Sequence, residues 1–96
     1  VIASEDLGFF PQGEGWQAAE EGKTARGGQN PINTSGGLKS KGHPVGASGA
    51  GQVVEIWKQL RGEAGERQLP GSPTLGMTHN VGGTGQTCVV NIFERR

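Results

Sequence analysis

The chain has 96 residues, nine basic and nine acidic, and a formal net charge of zero, so attraction to nucleic acid or to an acidic membrane surface does not organise it. Its single cysteine excludes an internal disulfide framework and suits a reducing compartment, read here as the cytoplasm. No apolar run approaches the ~18 residues of a membrane span, and the 19 glycines stand far above the usual share of ~7 %.

The opening segment, Val1-Ile2-Ala3-Ser4-Glu5-Asp6-Leu7-Gly8, reads as the tail of a helix. Val1, Ile2 and Leu7 can share a face, and Gly8 fits the residue that closes a helix C-terminus. A helix that begins before residue 1 makes the chain a fragment of a longer polypeptide. Phe9 to Asn30 is broken by Gly13, Gly15, Gly22, Gly27 and Gly28, with a short polar helix expected from Trp16 to Glu21. Phe9, Phe10 and Trp16 are expected to pin this stretch by packing. Gly22-Lys23-Thr24 is similar to the end of a phosphate-binding loop, but position 17 is Gln where that motif needs Gly, and no strand precedes it.

Pro31 to Asn33 reads as a short strand ended by Ser35-Gly36-Gly37. Next comes the clearest element, a helix over Pro44 to Arg61, with Pro44 at its first position and Gly62 as its stop. Helical spacing of Val53, Val54, Trp57 and Leu60, widened by Ile56, predicts that this face is buried. Leu75 to Thr78 reads as a strand leading into His79, Gly82 to Gly85 as a turn, and Thr87 to Phe93 as a final strand. The order strand, helix, strand, turn, strand implies an α/β fold, a mixed sheet with a crossover helix and an antiparallel terminal pair.

The chemistry centres on the two histidines. His43 stands in Gly42-His43-Pro44-Val45-Gly46-Ala47-Ser48-Gly49, and His79 leads into Gly82-Gly83-Thr84-Gly85. Zinc needs three or four ligands at regular spacing, and His43, His79 and Cys88 do not provide it. Gly46-Ala47-Ser48-Gly49-Ala50 fails the nucleophile-elbow pattern at its last position, which leaves Ser48 to local capping. Gly46-x-x-Gly49-x-Gly51 follows a His-Pro pair rather than a strand, which argues against dinucleotide binding. What remains is polarisation of an oxyanion or proton transfer by imidazole, with a purely structural role open for each ring. Strand ends and helix N-termini meet at one edge of an α/β sheet, so both rings are expected to face one pocket.

Taken together, Asn33-x-x-Gly36-Gly37, Gly42-His43-Pro44-x-Gly46-Ala47-Ser48-Gly49 and His79-Asn80-Val81-Gly82-Gly83-Thr84-Gly85 resemble, in order and spacing, the C-terminal domain of the thiolase superfamily. The His-Asn-x-Gly form of the last motif is similar to the sterol-carrier-protein-type branch. Residues 1–96 are then the C-terminal part of that domain. The resemblance implies transfer of an acyl group between coenzyme A thioesters, with coenzyme A thioester as substrate, no bound cofactor and no metal. It implies that His43 hydrogen-bonds the thioester oxygen and that Asn33 holds a water completing that oxyanion hole. The backbone N–H of Val81 serves a second hole, with Gly82 and Gly83 against substrate. His79 occupies the place of an acid/base cysteine in other members. Partners implied are the rest of a thiolase chain and a homodimer or tetramer.

The nucleophilic cysteine of such enzymes has no counterpart here. Cys88 falls in the last apolar strand and reads as a buried, inert thiol. The chain alone is therefore expected neither to catalyse nor to hold coenzyme A. A thiolase-like aldolase, a lipid-handling relative or a non-catalytic scaffold subunit are the alternative readings.

Overall fold

The computed structural model describes residues 1–96. It contains α1 (Ile2–Asp6), α2 (Gly15–Glu20), α3 (Gly37–Lys41), α4 (Ser48–Arg61), a 3-10 turn at Gly65–Arg67, and the strands β1 (Leu75–Gly82) and β2 (Thr87–Glu94). These divide into two compact units, Val1–Thr34 and Ser35–Arg96. No helix is long and apolar enough to cross a membrane.

In the first unit, α1 and α2 end by the same device. Gly8 (φ +81°) donates to the carbonyl of Glu5 at 2.9 Å while Phe9 donates to that of Ser4 at 3.0 Å. Gly22 (φ +77°) and Lys23 repeat this with the carbonyls of Ala19 and Ala18. A left-handed residue followed by these two crossed bonds satisfies carbonyls that the helix leaves without partners.

No side chain of its own caps the start of α2. Glu5 of α1 does so instead, accepting the N–H groups of Gly13 and Gly15, each at 3.0 Å. A Cβ on Gly15 would come within 2.9 Å of the Glu5 carboxylate, so a side chain there would push this cap aside. Phe10 and Ala18 are buried, whereas Phe9 and Trp16 stay exposed, so one of the three aromatic residues expected to pack does so. The strand expected at Pro31–Asn33 does not form. Pro31 has no N–H to donate, and Asn33 turns to φ +51°, a left-handed conformation that Asn tolerates and that ends an extended run.

The second unit opens with α3, which is too short for periodicity to reveal. It lies between Gly36 (φ +92°) and Gly42 (φ +81°). The long helix starts at Ser48 rather than Pro44. The Pro44 carbonyl accepts the N–H groups of Ala47 (2.8 Å) and Ser48 (2.9 Å), forming a turn that delivers the chain to α4. Gly62 (φ +73°) stops α4 as expected, with Gly62 and Glu63 donating to the carbonyls of Gln59 and Lys58.

β1 and β2 form a two-stranded antiparallel sheet, in register from Leu75↔Glu94 to Gly82↔Thr87. The α/β class and the terminal antiparallel pair stand. Because no strand forms before α4, that helix does not cross between strands of this sheet. Alternation along β1 places Gly76, Thr78 and Asn80 on one face and Met77, His79 and Val81 on the other. α4 packs on the first face. A Cβ on Gly76 would lie 2.5 Å from Ile56 Cγ2, so the glycine makes room for the helix.

The buried face predicted for α4 is corrected. Leu60 is buried, but Val53, Val54 and Trp57 are 39 %, 49 % and 53 % exposed. A two-stranded sheet is roughly as narrow as one helix with its side chains, so it covers a single strip of α4. Trp57 instead carries Arg61 over its ring, 4.7 Å from the centroid.

A polar clasp secures the other end of α4. The amide of buried Gln59 donates to the Arg67 carbonyl at 2.8 Å and accepts the Leu69 N–H at 2.9 Å. Gln68 donates to the Gln59 carbonyl at 2.9 Å and accepts the Ala64 N–H at 3.1 Å. Arg67 grips both oxygens of Glu55, at 3.3 and 3.0 Å.

Gln59→Ala strips partners from a backbone donor and a backbone acceptor at once and should destabilise the second unit by about 1–3 kcal/mol in urea unfolding. An unshifted midpoint would show that the clasp contributes nothing.

The acid limb of stability has a defined sign. The hydrogen bond from Arg67 outweighs desolvation and holds the Glu55 carboxyl below its ordinary value of 4.5. The unfolded chain then takes up this proton at higher pH than the folded one. The stabilisation is complete above the ordinary value and fades as pH falls through the lowered folded value. Melting temperature followed against pH should show this loss, and Arg67→Gln should flatten it.

Candidate functional site

His43 lies between α3 and α4, in the segment held by Gly42 (φ +81°) on one side and the Pro44 turn on the other. Its residue surface is exposed, but the ring is not free to turn. Nδ1 lies 2.6 Å from the hydroxyl of Ser48, the first residue of α4, and Ser48 is buried. The same hydroxyl lies 3.1 Å from the Pro44 carbonyl. One ring nitrogen is therefore committed to the protein, and Nε2 makes no hydrogen bond within the chain. Ser48 is a residue whose part sequence reasoning missed: it read as a local helix cap, and its partner across the turn is an imidazole.

His79 is placed differently from expectation. β1 continues past Thr78 to Gly82, so His79 stands inside the strand, opposite Val90, rather than at its end. Its side chain leaves from the face that α4 does not cover, whereas His43 is tied to the first turn of α4. The sequence held a signal for this. A turn at Gly82–Gly85 and a strand starting at Thr87 require a partner strand that runs back from Gly82.

Val81 pairs with Cys88, and Gly82 with Thr87, at the closed end of the hairpin. Gly83 (φ +58°) opens the turn, which Gly85 closes by donating to the Gly82 carbonyl at 3.2 Å. Asn33 belongs to the first unit, where it is exposed. Cys88 is exposed rather than buried, a correction to expectation: its side chain lies on the face of the hairpin that α4 does not cover.

Between the N-terminal half of α4 and the covered face of the hairpin runs a groove of about 390 Å³, lined by Gly49, Gln52 and Val53 of α4 and by Thr78, Asn80 and Asn91 of the sheet, with Gly82 at its end. Asn91 donates to the Thr78 hydroxyl across the strands at 3.3 Å. Gln52 reaches the His79 carbonyl at 3.5 Å. Gly49 is bare where Asn80 approaches, 3.4 Å from the position of a Cβ. The groove is neutral, with amides and hydroxyls that can both donate and accept. No three His, Cys, Asp or Glu side chains converge as a metal site would require.

Residues 1–95 match the family described as thiolase C-terminal domain-like. The chain is 56 % identical over 95 residues to an acetyl-CoA acetyltransferase of Methanothermobacter thermautotrophicus, covering 99 % of this chain and 24 % of that protein. It is 47 % identical over 94 residues to sterol carrier protein 2 of Bos taurus, covering 98 % of this chain and 17 % of that protein. A benzoylsuccinyl-CoA thiolase subunit, BbsB, of Thauera aromatica is 40 % identical over 83 residues, covering 86 % of this chain and 22 % of the subunit. The chain thus spans a quarter or less of the length of these curated relatives.

Proposed function

The chain belongs to the thiolase C-terminal domain-like family, and from that premise we propose that it is the C-terminal part of a thiolase-type acyltransferase. Its substrate is an acyl-coenzyme A thioester, and the reaction is Claisen condensation or the reverse thiolysis. The observation that carries the reading is the fixed imidazole of His43, bonded through Nδ1 to buried Ser48 with Nε2 open. A ring held in this way, on a turn stiffened by Pro44, can direct one N–H at a developing oxyanion without reorganising.

In this reading His43 donates to the thioester oxygen, and Asn33 holds the water that completes the hole. The Val81 N–H serves the acyl-enzyme, Gly82 and Gly83 lie against substrate, and His79 moves a proton. The nucleophilic cysteine and the coenzyme-binding loop come from another part of the polypeptide. No cofactor and no metal take part, the assembly is a homodimer or tetramer, and the compartment is the cytoplasm. The similarity to an acetyl-CoA acetyltransferase and to a benzoylsuccinyl-CoA thiolase subunit supports this reading.

A second reading draws on the names of other relatives. Sterol carrier protein 2 and a non-specific lipid-transfer protein-like 2 of Caenorhabditis elegans, 43 % identical over 94 residues, favour a lipid-handling member of the family. The two readings separate on turnover.

Cleavage of acetoacetyl-coenzyme A by the protein expressed from its natural gene is the direct test. His43→Ala should lower turnover by about 10²–10³, the scale for removing one oxyanion donor. His79→Ala should cost less if a cysteine elsewhere is the acid/base group, and as much if His79 is that group. Unchanged turnover in His43→Ala would overturn the assignment. Residues 1–96 expressed alone should show no cleavage at all. Turnover by the purified 96-residue chain would overturn the placing of the nucleophile elsewhere.

A further inference from the structure

Two cations stand without partners just before the His43 turn. Lys39 and Lys41 belong to α3, and neither ammonium makes an ion pair or a hydrogen bond. The segments that build this end of the unit, residues 35–54 and 75–93, contain no Asp or Glu. Carboxylates elsewhere in the unit are engaged: Glu55 with Arg67, Glu63 with Arg61 and Glu94 with Arg96.

Lys41 folds back onto the helix that follows it. Its Nζ lies 3.1 Å from the position a Cβ would take on Gly51, so the ammonium rests against the first turn of α4, where the bare glycine leaves it space. Ser48, which holds His43 Nδ1, stands three residues earlier on the same helix. Residues three apart share a helix face, with Cβ positions about 5–6 Å apart. The ammonium of Lys41 and the imidazole of His43 therefore adjoin neighbouring positions of one face, and both residues are exposed. Glu55, the carboxylate one turn further along that face, gives both oxygens to Arg67. A cation at this place does not serve α4, because it meets the positive end of the helix dipole.

We propose that Lys41 is a specificity-determining residue that binds a carboxylate carried by the acyl chain of the substrate, beside the carbonyl that meets His43. This rests on the acyl-transfer reading and deepens it by naming a substrate class: β-ketoacyl thioesters whose acyl chain ends in a carboxylate. Spacing selects the acyl chain over the coenzyme. One helix turn separates the positions that hold the two side chains, so the anion lies a few bonds from the thioester carbonyl. The phosphates of coenzyme A lie beyond the whole pantetheine arm. Charge selects a carboxylate over a neutral chain end. The carboxylate supplies the partner that the protein withholds from Lys41, in a charge-assisted bond stronger than one between neutral groups. A neutral chain leaves the ammonium as it is in the free protein, so the site favours the charged chain without excluding the other.

The test compares two thioesters of equal carbon count, β-ketoadipyl-coenzyme A, which ends in a carboxylate, and β-ketohexanoyl-coenzyme A, which ends in a methyl group. Calorimetric titration of the protein expressed from its natural gene, without free coenzyme A, should show the charged chain bound about 3–10-fold more tightly. That lies between the scale of an exposed ion pair and that of a hydrogen bond to a charged group. Lys41→Gln should remove the difference, and Lys41→Arg should keep most of it. Lys41 is exposed, so neither variant disturbs a packed interior. Equal affinities in the wild type would overturn the inference, and so would a preference that survives Lys41→Gln. It would also fall if Lys41→Gln weakened both coenzyme A thioesters alike and left the matching pantetheine thioesters, which carry no phosphate, unaffected. That result would place a coenzyme phosphate at Lys41. Affinity is read without turnover, so the two readings fail separately. The expected preference with no cleavage of either thioester would overturn acyl transfer and leave charge recognition by Lys41 standing. Cleavage with no preference would do the reverse.

Discussion

The contact between Ile56 and the bare backbone of Gly76 seats α4 on the hairpin. With no Cβ in the way, the helix comes close enough for Gly49 to meet Asn80 and for Gln52 to reach the His79 carbonyl. The start of α4, and with it Ser48 and the ring of His43, is thereby held at a fixed height above β1. Any side chain at position 76 lifts the helix and opens the groove beneath it.

Few apolar side chains share this burden. No large side chain is fully buried, and the core residues below about a tenth exposure are Phe10, Ala18, Leu60 and Ala64. Polar side chains bonded to backbone do what a larger core does elsewhere. Glu5 caps a helix from outside it, Gln59 fastens a loop to the end of α4, and Ser48 closes the turn that begins the same helix. Such bonds are each worth little on balance, but their loss leaves a donor or acceptor without a partner. The fold is thus specified by direction as much as by burial.

What could be read from the residues was what a residue decides locally. Gly8 and Gly62 stop their helices because only a left-handed residue allows the crossed closing bonds, and Gly82–Gly85 announced its turn by composition. Periodicity correctly marked the apolar stripe of α4. It carries no information on the width of the surface that receives it, and so Trp57 was misplaced. The first position of α4 was misjudged because Pro44 satisfies the rule for a helix start while serving a turn. The motifs around His43 and His79 were enough to indicate the family that matches residues 1–95. The face on which His79 lies depended on strand pairing. The bond from His43 to Ser48 depended on how the chain folds back through the turn.

The two crossed bonds that close each of α1, α2 and α4 join residues very near one another in the chain, and β1 returns as β2 across a tight turn. Much of the described order therefore arises between residues close in the chain, where closing a loop costs least. Architectures dominated by such contacts acquire their structure quickly. The seating of Ile56 on Gly76 must in addition span the 3-10 turn and the connection after it. Helix ends and hairpin are then early events in the assembly of the second unit, and the docking that seats α4 on the sheet is the late one.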